Sequence, residues 1–459
     1  MMEEMNAEII CIRLVNVHFI PVTSPEIAVE FLKNQDVVFS SRPDVLSADI
    51  TSRGYLTTTL SPSGEQWKKM RRVLTSDVLS KARHGWLQGK RTEEADHLVR
   101  FVYNQSMDST TGGVVNVRVA TRHFCGNVIR KMVFGKRFFG NGRVDGGPGV
   151  EEEEHVDALF KILAYVFSFC VSDFLPFLRG RFDLDGHEKI IRTATATVAK
   201  YQDPEIDERI RQWAEGTKTE QEDLLDVLIG LKENDGTPLL SPDEIKAQIV
   251  ELILATVDNP SNAVEWAIAE MINQPITLQR ATEELDRVVG KERLVQESDL
   301  SQLNYVKSCV RESFRLHPIA PFNLPHVSTV DATVAGYLIP KGSHILLSRP
   351  GLGRNPKVWD EPLQFRPERH LKDGSNVVLT DPDLKMLSFS TGRRGCAGVN
   401  LGSTMTAMLM ARLLQGFSWE LPSTVSKIEL NESAEDLFLA EPLHVKARPR
   451  LAETLYHQL

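Results

Sequence analysis

The chain has 459 residues and a mass of 51.6 kDa, which excludes a binding peptide and allows either one large core or two domains. Hydrophobic residues make up 42% and charged residues 25%, so neither a disordered chain nor a multi-span membrane protein fits. Lysine and arginine total 53 against 62 acidic residues. The resulting net charge of −9 argues against a nucleic acid as the main partner.

The cysteines and the N-terminus bear on the compartment. Five cysteines lie far apart and include no Cys-x-x-Cys pair, which favours a reducing compartment. Positions 3 and 4 are acidic, where a signal peptide or membrane anchor would be basic and then apolar. The uncharged stretch 162–172 has 11 residues, well under the roughly 20 that cross a bilayer. Composition therefore predicts a soluble, slightly acidic, intracellular protein.

The first predicted elements are paired strands over residues 9–22, a β-branched and partly alternating stretch. Ser24-Pro25-Glu26 then supplies the cap residue, first-turn proline and acid that begin a helix. From about residue 66 to 274, apolar groups recur at helical spacing between breaks at 140–149 and 215–223. The long middle of the chain is therefore predicted to be mainly α-helical.

Near residue 320 the pattern changes. Residues 332–347 predict two short strands around a Pro-Lys-Gly turn, and 355–369 is proline-rich and irregular. Residues 401–414 predict an apolar, methionine-rich helix, and the last forty residues return to strand-like pieces. The predicted architecture is a large helical body with a small sheet built from both ends of the chain.

The most informative local feature is the loop 389–398, Phe-Ser-Thr-Gly-Arg-Arg-Gly-Cys-Ala-Gly, which presents Cys396 just before the apolar helix. Backbone N–H groups and the helix macrodipole favour a metal-binding thiolate there. A lone cysteine at such a junction is more often buried and inert. However, Phe-x-x-Gly-x-Arg-x-Cys-x-Gly fixes five positions, and chance gives about 10⁻⁴ matches in a chain this long.

This pattern resembles the haem-binding loop of cytochromes P-450. The resemblance implies the P-450 fold, mainly α with a small β-rich subdomain, with residues 1–459 forming a single catalytic domain. It implies that Cys396 is the axial thiolate of haem b, that Phe389 packs beneath it, and that Arg394 reaches a haem propionate. Such a thiolate pushes electron density onto the iron and favours O–O cleavage.

Two further motifs are expected near the haem by the same resemblance. Trp67 and Arg71 lie one helical turn apart, and the family's Trp-x-x-x-Arg pair contacts haem propionates. From spacing alone, a solvated basic face explains this pair equally well. His326 stands where the family often has a propionate-binding basic residue.

Glu312 and Arg315 lie three residues apart on one predicted helix face, where they can pair. Alone this spacing means little, because it also occurs at Glu208/Arg211 and Glu284/Arg287. Its position before Cys396, followed by Arg369, resembles the family's structural Glu-Arg-Arg triad. The three residues are therefore expected to lock the cysteine loop and not to catalyse.

A departure from most of the family lies at residues 255–261, Ala-Thr-Val-Asp-Asn-Pro-Ser, inside a predicted core helix. Pro260 has no N–H to donate to the Thr256 carbonyl, and a proline kink without function would cost about 3 kcal/mol. Most haem-thiolate monooxygenases have a threonine where Asn259 stands, after an acid corresponding to Asp258, and use the pair to deliver protons for oxygen activation.

The Asn-Pro pair, with the Phe-Ser-Thr start of the cysteine loop and His370 closing Pro-Glu-Arg-His, resembles plant amino-acid N-hydroxylases that form aldoximes. The resemblance extends over essentially the whole chain. It implies two N-hydroxylations of an L-amino acid, then loss of water and carbon dioxide. Asp258 and Asn259 are expected to act where oxygen is activated, and the Thr256 carbonyl is expected to hold a water molecule or the substrate amine.

The substrate side chain is expected near residues 46–60, 167–177, 321–323 and 437–439. These stretches offer Phe169, Phe174, Phe322 and Phe438. Phenylalanine is therefore the first expected substrate, followed by tyrosine, tryptophan or an aliphatic amino acid. Such aldoximes feed cyanogenic glucoside, glucosinolate or defence pathways in plants.

Electrons are expected from NADPH through a separate NADPH-cytochrome reductase, with O2 as co-substrate, because the chain has no Gly-x-Gly-x-x-Gly nucleotide-binding unit. Lys357, Arg393 and Arg394 are candidate docking charges. The family implies attachment to the cytoplasmic face of the endoplasmic reticulum, although this sequence shows no anchor or hinge. The alternatives are a haem-thiolate carbon hydroxylase, an aldoxime-metabolising relative, or a truncated, inactive haem-binding protein.

Overall fold

The computed structural model describes residues 2, 5, 7–371, 376–423, 425–433 and 437–459. The α-helices of the first half are α1 (Pro25–Val29), α2 (Leu46–Thr51), α3 (Glu65–Arg72), α4 (Lys81–Trp86), α5 (Gln88–Met107), α6 (Val117–Phe134), α7 (Val150–Tyr165), α8 (Val171–Phe174), α9 (His187–Ala214) and α10 (Leu224–Gly230). Those of the second half are α11 (Pro242–Asn273), α12 (Pro275–Val288), α13 (Asn304–Leu316), α14 (Arg349–Gly353), α15 (Val399–Gly416) and α16 (Glu453–His457). The predicted helical middle and the predicted methionine-rich helix are confirmed, and the short C-terminal α16 was not predicted.

The strands are β1 (Ile12–Leu14), β2 (Val17–Val22), β3 (Val114–Asn116), β4 (His326–Val327), β5 (Ala332–Val334), β6 (Tyr337–Ile339), β7 (His344–Leu347), β8 (Phe417–Glu420) and β9 (His444–Pro449). They form sheets with the orders β1-β2-β7-β4, β3-β9-β8 and β5-β6. The N-terminal hairpin was predicted correctly. The predicted small sheet built from both ends of the chain is confirmed for β1 and β2, which share a sheet with β4 and β7, whereas β8 and β9 pair with β3 in a second sheet.

Strands flank the Pro-Lys-Gly turn as predicted, as β6 and β7, but residues 332–347 contain a third strand, β5, and β6 does not pair with β7. β6 pairs with β5 across the two-residue turn Ala335-Gly336, whose residues have φ values of 51° and 81°. Positive φ at both central residues is typical of the tight turns that join antiparallel strands. β7 instead runs parallel to β2, with Val22 opposite Leu347.

Local sequence signals set the start of α11, the helix that matters most for the site. The Ser241 hydroxyl accepts the N–H of Glu244, the Glu244 carboxylate accepts the N–H of Ser241, and Pro242 occupies the first turn. α11 then continues for 32 residues, through Pro260, to Asn273. Most of its residues are buried, as expected for a helix that is apolar on most faces.

The main core packs α11 against α6, α13 and α15, and a smaller core lies beneath the sheet that contains β2 and β7. Pro204 also lies inside a helix, α9. Within the described part of the chain, no helix is both long enough and apolar enough to cross a bilayer.

A buried ion cluster lies at the end of α13. The Glu312 carboxylate accepts hydrogen bonds from Arg315 at 2.7 and 2.9 Å, from Arg369 at 3.0 Å and from His370 at 2.7 Å. Burial alone would raise the pKa of Glu312, but the bonds and charges of Arg315 and His370 lower it to about 2. The structure therefore brings the predicted triad together, with His370 as a fourth member.

The Glu312 cluster also fixes neighbouring backbone segments through Arg315. Arg315 donates to the carbonyls of Gly353, Pro362 and Gln364, and a Cβ on Gly353 would collide with the carbonyl of Arg315. Its direct contacts are thus with the irregular segment between α14 and the cysteine loop. Locking of the cysteine loop itself stays a prediction.

Candidate functional site

Three parts of the chain meet at one cavity, whose empty space including its opening measures about 1540 Å³. The first part is the cysteine loop with the start of α15, and the second is the middle of α11. The third comprises α3, the turn at residues 58–59 and the segment between α13 and β4. Eight of the nine predicted site residues border this cavity: Trp67, Arg71, Thr256, Asn259, His326, Phe389, Arg394 and Cys396.

The cysteine loop is closely fixed. The N–H of Cys396 donates to the carbonyl of Phe389 at 2.9 Å, and that of Gly395 donates to Gly392 at 3.0 Å. Gly392 has a φ of 70°, and a Cβ there would collide with the carbonyl of Leu32. This position therefore requires glycine. Cys396 is a free thiol with an exposed surface, and it borders the cavity.

The surroundings of Cys396 act on its charge in opposite directions. Burial raises the pKa of the thiol, whereas the N–H of Gly398 and the cations Arg71 and Arg349 lower it. α15 begins at Val399, so the sulfur lies at a helix N-terminus, as predicted. Burial prevails, so the pKa of the thiol is raised overall, and a bound metal ion would favour its deprotonation.

Phe389 and Arg394 flank the cysteine differently. The Phe389 ring meets the edge of Phe314 at a centroid distance of 5.9 Å. The Arg394 guanidinium donates to the carbonyls of Ser40, Thr58 and Ser61 and lies 4.4 Å from the centre of the Trp67 ring. Arg394 therefore faces inward, and its prediction as a docking charge for a partner protein is wrong.

His326 borders the cavity as a neutral side chain. Its Nδ1 lies 2.7 Å from the carbonyl of Phe39, which can only accept, so Nδ1 carries the proton. Burial, together with the neighbouring charges of Arg42 and Arg394, holds its pKa well below the usual range. Its Nε2 is then an acceptor, and His326 must gain a proton before it can donate to an anion.

Of the three site residues predicted on α11, Thr256 and Asn259 border the cavity and Asp258 does not. The Thr256 hydroxyl donates to Leu252 at 2.7 Å, and the Asn259 amide donates to Ala255 at 3.3 Å, while Pro260 also borders the cavity. Asp258 is the ninth predicted residue and is not part of the lining. Burial, followed by the charge of Asp258, raises the pKa of the Cys125 thiol on α6.

The aromatic residues predicted around the substrate are wrong as lining residues. Phe169 is 65% exposed and stacks on Phe174, and the Phe438 ring packs against Phe160. From the predicted stretches, Thr58, Thr59 and Asn323 border the cavity instead.

The lining also contains charged residues that no motif indicated, namely Arg42, Glu251 and Arg349. Arg42 lies in an irregular segment and Arg349 begins the five-residue helix α14, and neither is long enough to show a sequence period. For Glu251, helical spacing from Thr256 and Asn259 could have suggested a place on the same stripe of α11.

The sequence matches the cytochrome P450 family over residues 1–447. The chain belongs to the cytochrome P450 family. The P450 fold is also found by structure: a zebra fish cytochrome P450 solved with progesterone matches with a TM-score of 0.79 at 22% identity, over 98% of both chains.

Curated plant relatives are much closer in sequence. The isoleucine N-monooxygenase 1 of Lotus japonicus is 59% identical over 99% of this chain and 85% of its own length. The valine N-monooxygenase 1 of Manihot esculenta is 58% identical over 99% and 83%, and the tyrosine N-monooxygenase of Sorghum bicolor is 56% identical over 99% and 82%.

As a P450 monooxygenase, the chain is an oxidoreductase that uses haem with a cysteine thiolate on the iron, O2, and NADPH through a reductase. The residues that border the cavity fit a haem. The Nε1 of Trp67 is buried without a hydrogen-bond partner among the described residues, and the Arg71 guanidinium forms no hydrogen bond or ion pair with them. A haem carries two propionates, which are the acceptors that these donors lack.

We predict that Trp67→Phe, which keeps the ring beneath Arg394 but removes the N–H, speeds haem loss about tenfold. Hydrogen bonds to charged groups contribute about 1.5–3 kcal/mol. Haem transfer to apomyoglobin measures the rate without any need for activity. Trp86→Phe is the control, since Trp86 is 42% exposed on α4 and lies outside the cavity. Equal rates for the two variants would contradict a propionate partner for Trp67.

Proposed function

We propose that this P450 is an amino-acid N-monooxygenase that converts an L-amino acid into its aldoxime. The observation that carries the proposal is 56–59% identity, over 99% of the chain, to enzymes named as N-monooxygenases of isoleucine, phenylalanine, valine, tyrosine and tryptophan. The position of Asn259 and Pro260 at the cavity supports it, because this pair replaces the usual threonine there.

The proposed substrate is an L-amino acid of aliphatic or aromatic type. The four phenylalanines that favoured phenylalanine do not line the cavity, so that ranking loses its basis. Each N-hydroxylation consumes one O2 and two electrons and releases one water. Loss of a further water and of carbon dioxide from the doubly hydroxylated amino acid leaves the C=N–OH group of the aldoxime.

The haem, when bound, supplies oxygen activation with electrons that originate from NADPH. Cys396 is the proposed iron ligand. Trp67, Arg71 and Arg394 are proposed to hold the propionates, and His326 joins them only when protonated. Phe389 packs beside the cysteine loop and excludes water from the sulfur.

The middle of α11 is proposed to handle protons and the substrate nitrogen. Pro260 leaves the Thr256 carbonyl without the N–H that normally follows four residues later. That carbonyl can accept a hydrogen bond from the substrate amine or from a water molecule. The Asn259 amide lies one turn above Ala255 and can orient the same water, while Asp258 is proposed to supply protons from the α6 side.

Attachment to the endoplasmic reticulum is proposed on the family and on one exposed apolar surface. Phe169, Phe177, Phe182 and Leu184 are 63–68% exposed, and Phe174 joins Phe169 to Phe19 of β2. We expect this surface to contact the membrane. Flotation with liposomes should weaken in Phe177→Ser/Phe182→Ser relative to wild type, and unchanged flotation would contradict the contact.

Arg393 and Lys357 stay candidate reductase contacts.

Reconstitution tests the function. The enzyme with NADPH-cytochrome reductase and NADPH is expected to convert at least one of isoleucine, valine, phenylalanine, tyrosine and tryptophan to the matching oxime, identified by mass. Product with a hydroxylated side chain and no oxime would instead favour the carbon hydroxylase. Conversion of supplied oxime alone would favour the aldoxime-metabolising relative. A reduced carbon-monoxide difference spectrum without thiolate-ligated haem would favour the inactive protein.

Pro260→Ala tests the freed carbonyl. Alanine restores the N–H, which then donates to the Thr256 carbonyl within the helix. We therefore expect oxygen consumption to continue while the oxime formed per NADPH falls several-fold. The control is Pro204→Ala, because Pro204 also lies inside a helix but does not border the cavity. Unchanged coupling in Pro260→Ala would refute a role for that carbonyl.

A further inference from the structure

Arg349 is a cavity cation that the haem-binding motifs do not account for. It is the first residue of α14, directly after β7, and its side chain borders the cavity. No sequence motif of the cysteine loop, of α3 or of α11 includes it.

The backbone of Arg349 is held firmly. Its N–H donates to the carbonyl of Pro321 at 2.9 Å, and the preceding N–H of Ser348 donates to Val22 at 2.8 Å. At the other end of α14, Gly353 packs directly against the carbonyl of Arg315. A side chain that starts from so rigid a segment is preorganised for a ligand.

The guanidinium has only neutral direct partners. Its Nε donates to the carbonyl of Phe322 at 3.3 Å and its Nη1 donates to that of Leu387 at 3.0 Å. Within the part of the chain that the structure describes, it forms no ion pair with a carboxylate. Burial lowers its pKa to about 10, so it stays charged at neutral pH.

We call Trp67, Arg71, Arg394 and His326, the residues proposed to hold the haem propionates, the propionate group. The charges that act on Arg349 differ from those that act on Arg394 and His326 of this group. Arg394 is influenced by Arg42, Arg71 and Glu251, and His326 is influenced by Arg42 and Arg394. Asp258 acts on Arg349 and on neither of these residues, whereas Cys396 acts on both Arg349 and Arg71. Arg349 therefore lies within electrostatic range of the proposed iron ligand and of the proposed proton source, without an interaction with Arg42 or Arg394.

We propose that Arg349 binds the α-carboxylate of the amino-acid substrate, an inference that rests on the proposed function. The two haem carboxylates are matched by the donors of the propionate group, and the substrate brings a third carboxylate into the cavity. A guanidinium fork suits a carboxylate in two parallel hydrogen bonds.

The geometry of an α-amino acid gives this contact a catalytic use. The amine and the carboxylate share one carbon atom, so fixing the carboxylate near both Cys396 and Asp258 brings the nitrogen toward the iron. The carboxylate leaves as carbon dioxide only after both N-hydroxylations. Arg349 therefore retains the singly hydroxylated amino acid between the two rounds and loses its ligand when carbon dioxide departs.

The test compares ligands with and without the carboxylate on the holoenzyme. Binding of L-phenylalanine and 2-phenylethylamine, or of L-isoleucine and 2-methylbutylamine if wild type prefers aliphatic substrates, is measured from the haem absorption shift. Arg349→Gln is expected to weaken binding of the amino acid at least about tenfold and that of the amine less than twofold. Arg349→Lys should recover part of the loss, since it keeps the charge without the fork.

Two controls separate this role from haem binding and from charge in general. Haem content and the rate of haem transfer to apomyoglobin should equal those of wild type. Arg448→Gln, which removes an arginine that is 58% exposed and paired with Glu420, should leave the preference for the amino acid unchanged. In wild type, the amino-acid methyl ester should bind about as weakly as the amino acid binds to Arg349→Gln, which tests the contact even if that variant folds poorly.

Opposite outcomes are equally clear. Faster haem loss with an unchanged preference for the amino acid over the amine would assign Arg349 to a propionate and overturn the inference. Wild-type binding of ester and acid with equal affinity would overturn it as well. Wild type that makes no oxime from any amino acid defeats the proposed function itself, whereas oxime formation with an unchanged preference in Arg349→Gln defeats this inference alone.

Discussion

The cavity holds more positive charge than the protein balances. Four arginines border it (Arg42, Arg71, Arg349 and Arg394) against the single carboxylate of Glu251, an excess of three charges. Burial and the nearby charge of Arg42 lower the pKa of Arg394 to about 8. Buried charges without partners are costly, so the folded chain is stabilised by whatever anions it binds. Haem propionates, the thiolate and a substrate carboxylate are therefore part of the structural balance.

Arg349 depends on backbone that is held far from its side chain. The Glu312 cluster holds the chain between α14 and residue 366, and the backbone carbonyl of Arg315 on α13 lies against Gly353 at the end of α14. The parallel pairing of β7 with β2 delivers the chain to Arg349 from the other side. Two ends of a short helix are thereby fixed by independent contacts, and the arginine between them has little freedom to retreat from the cavity.

How far the sequence predicted this molecule depends on the range of the signal. The cysteine loop, the Glu312 triad and α11 follow from short motifs and helical period, and the structure brings them to their expected neighbourhoods. The partner of each strand was not predicted, because β9 joins β3, and β7 joins β2, across more than 300 residues, which no local pattern encodes. Arg349 was missed because its direction follows from that pairing, and the four phenylalanines were misplaced because aromatic content does not reveal which cavity a ring faces.

The named activities of the relatives give the Arg349 contact a wider consequence. Proteins 56–59% identical to this chain are named for isoleucine, valine, phenylalanine, tyrosine and tryptophan, whose side chains share little chemistry. What these substrates share is the amine and the carboxylate. The proposed Arg349 contact and the proposed contact to the Thr256 carbonyl would both act on that shared part. Discrimination between side chains then needs only the 1–3 kcal/mol that one methylene in an apolar pocket supplies. A few apolar substitutions around a constant polar cradle can therefore redirect the enzyme without changing its reaction.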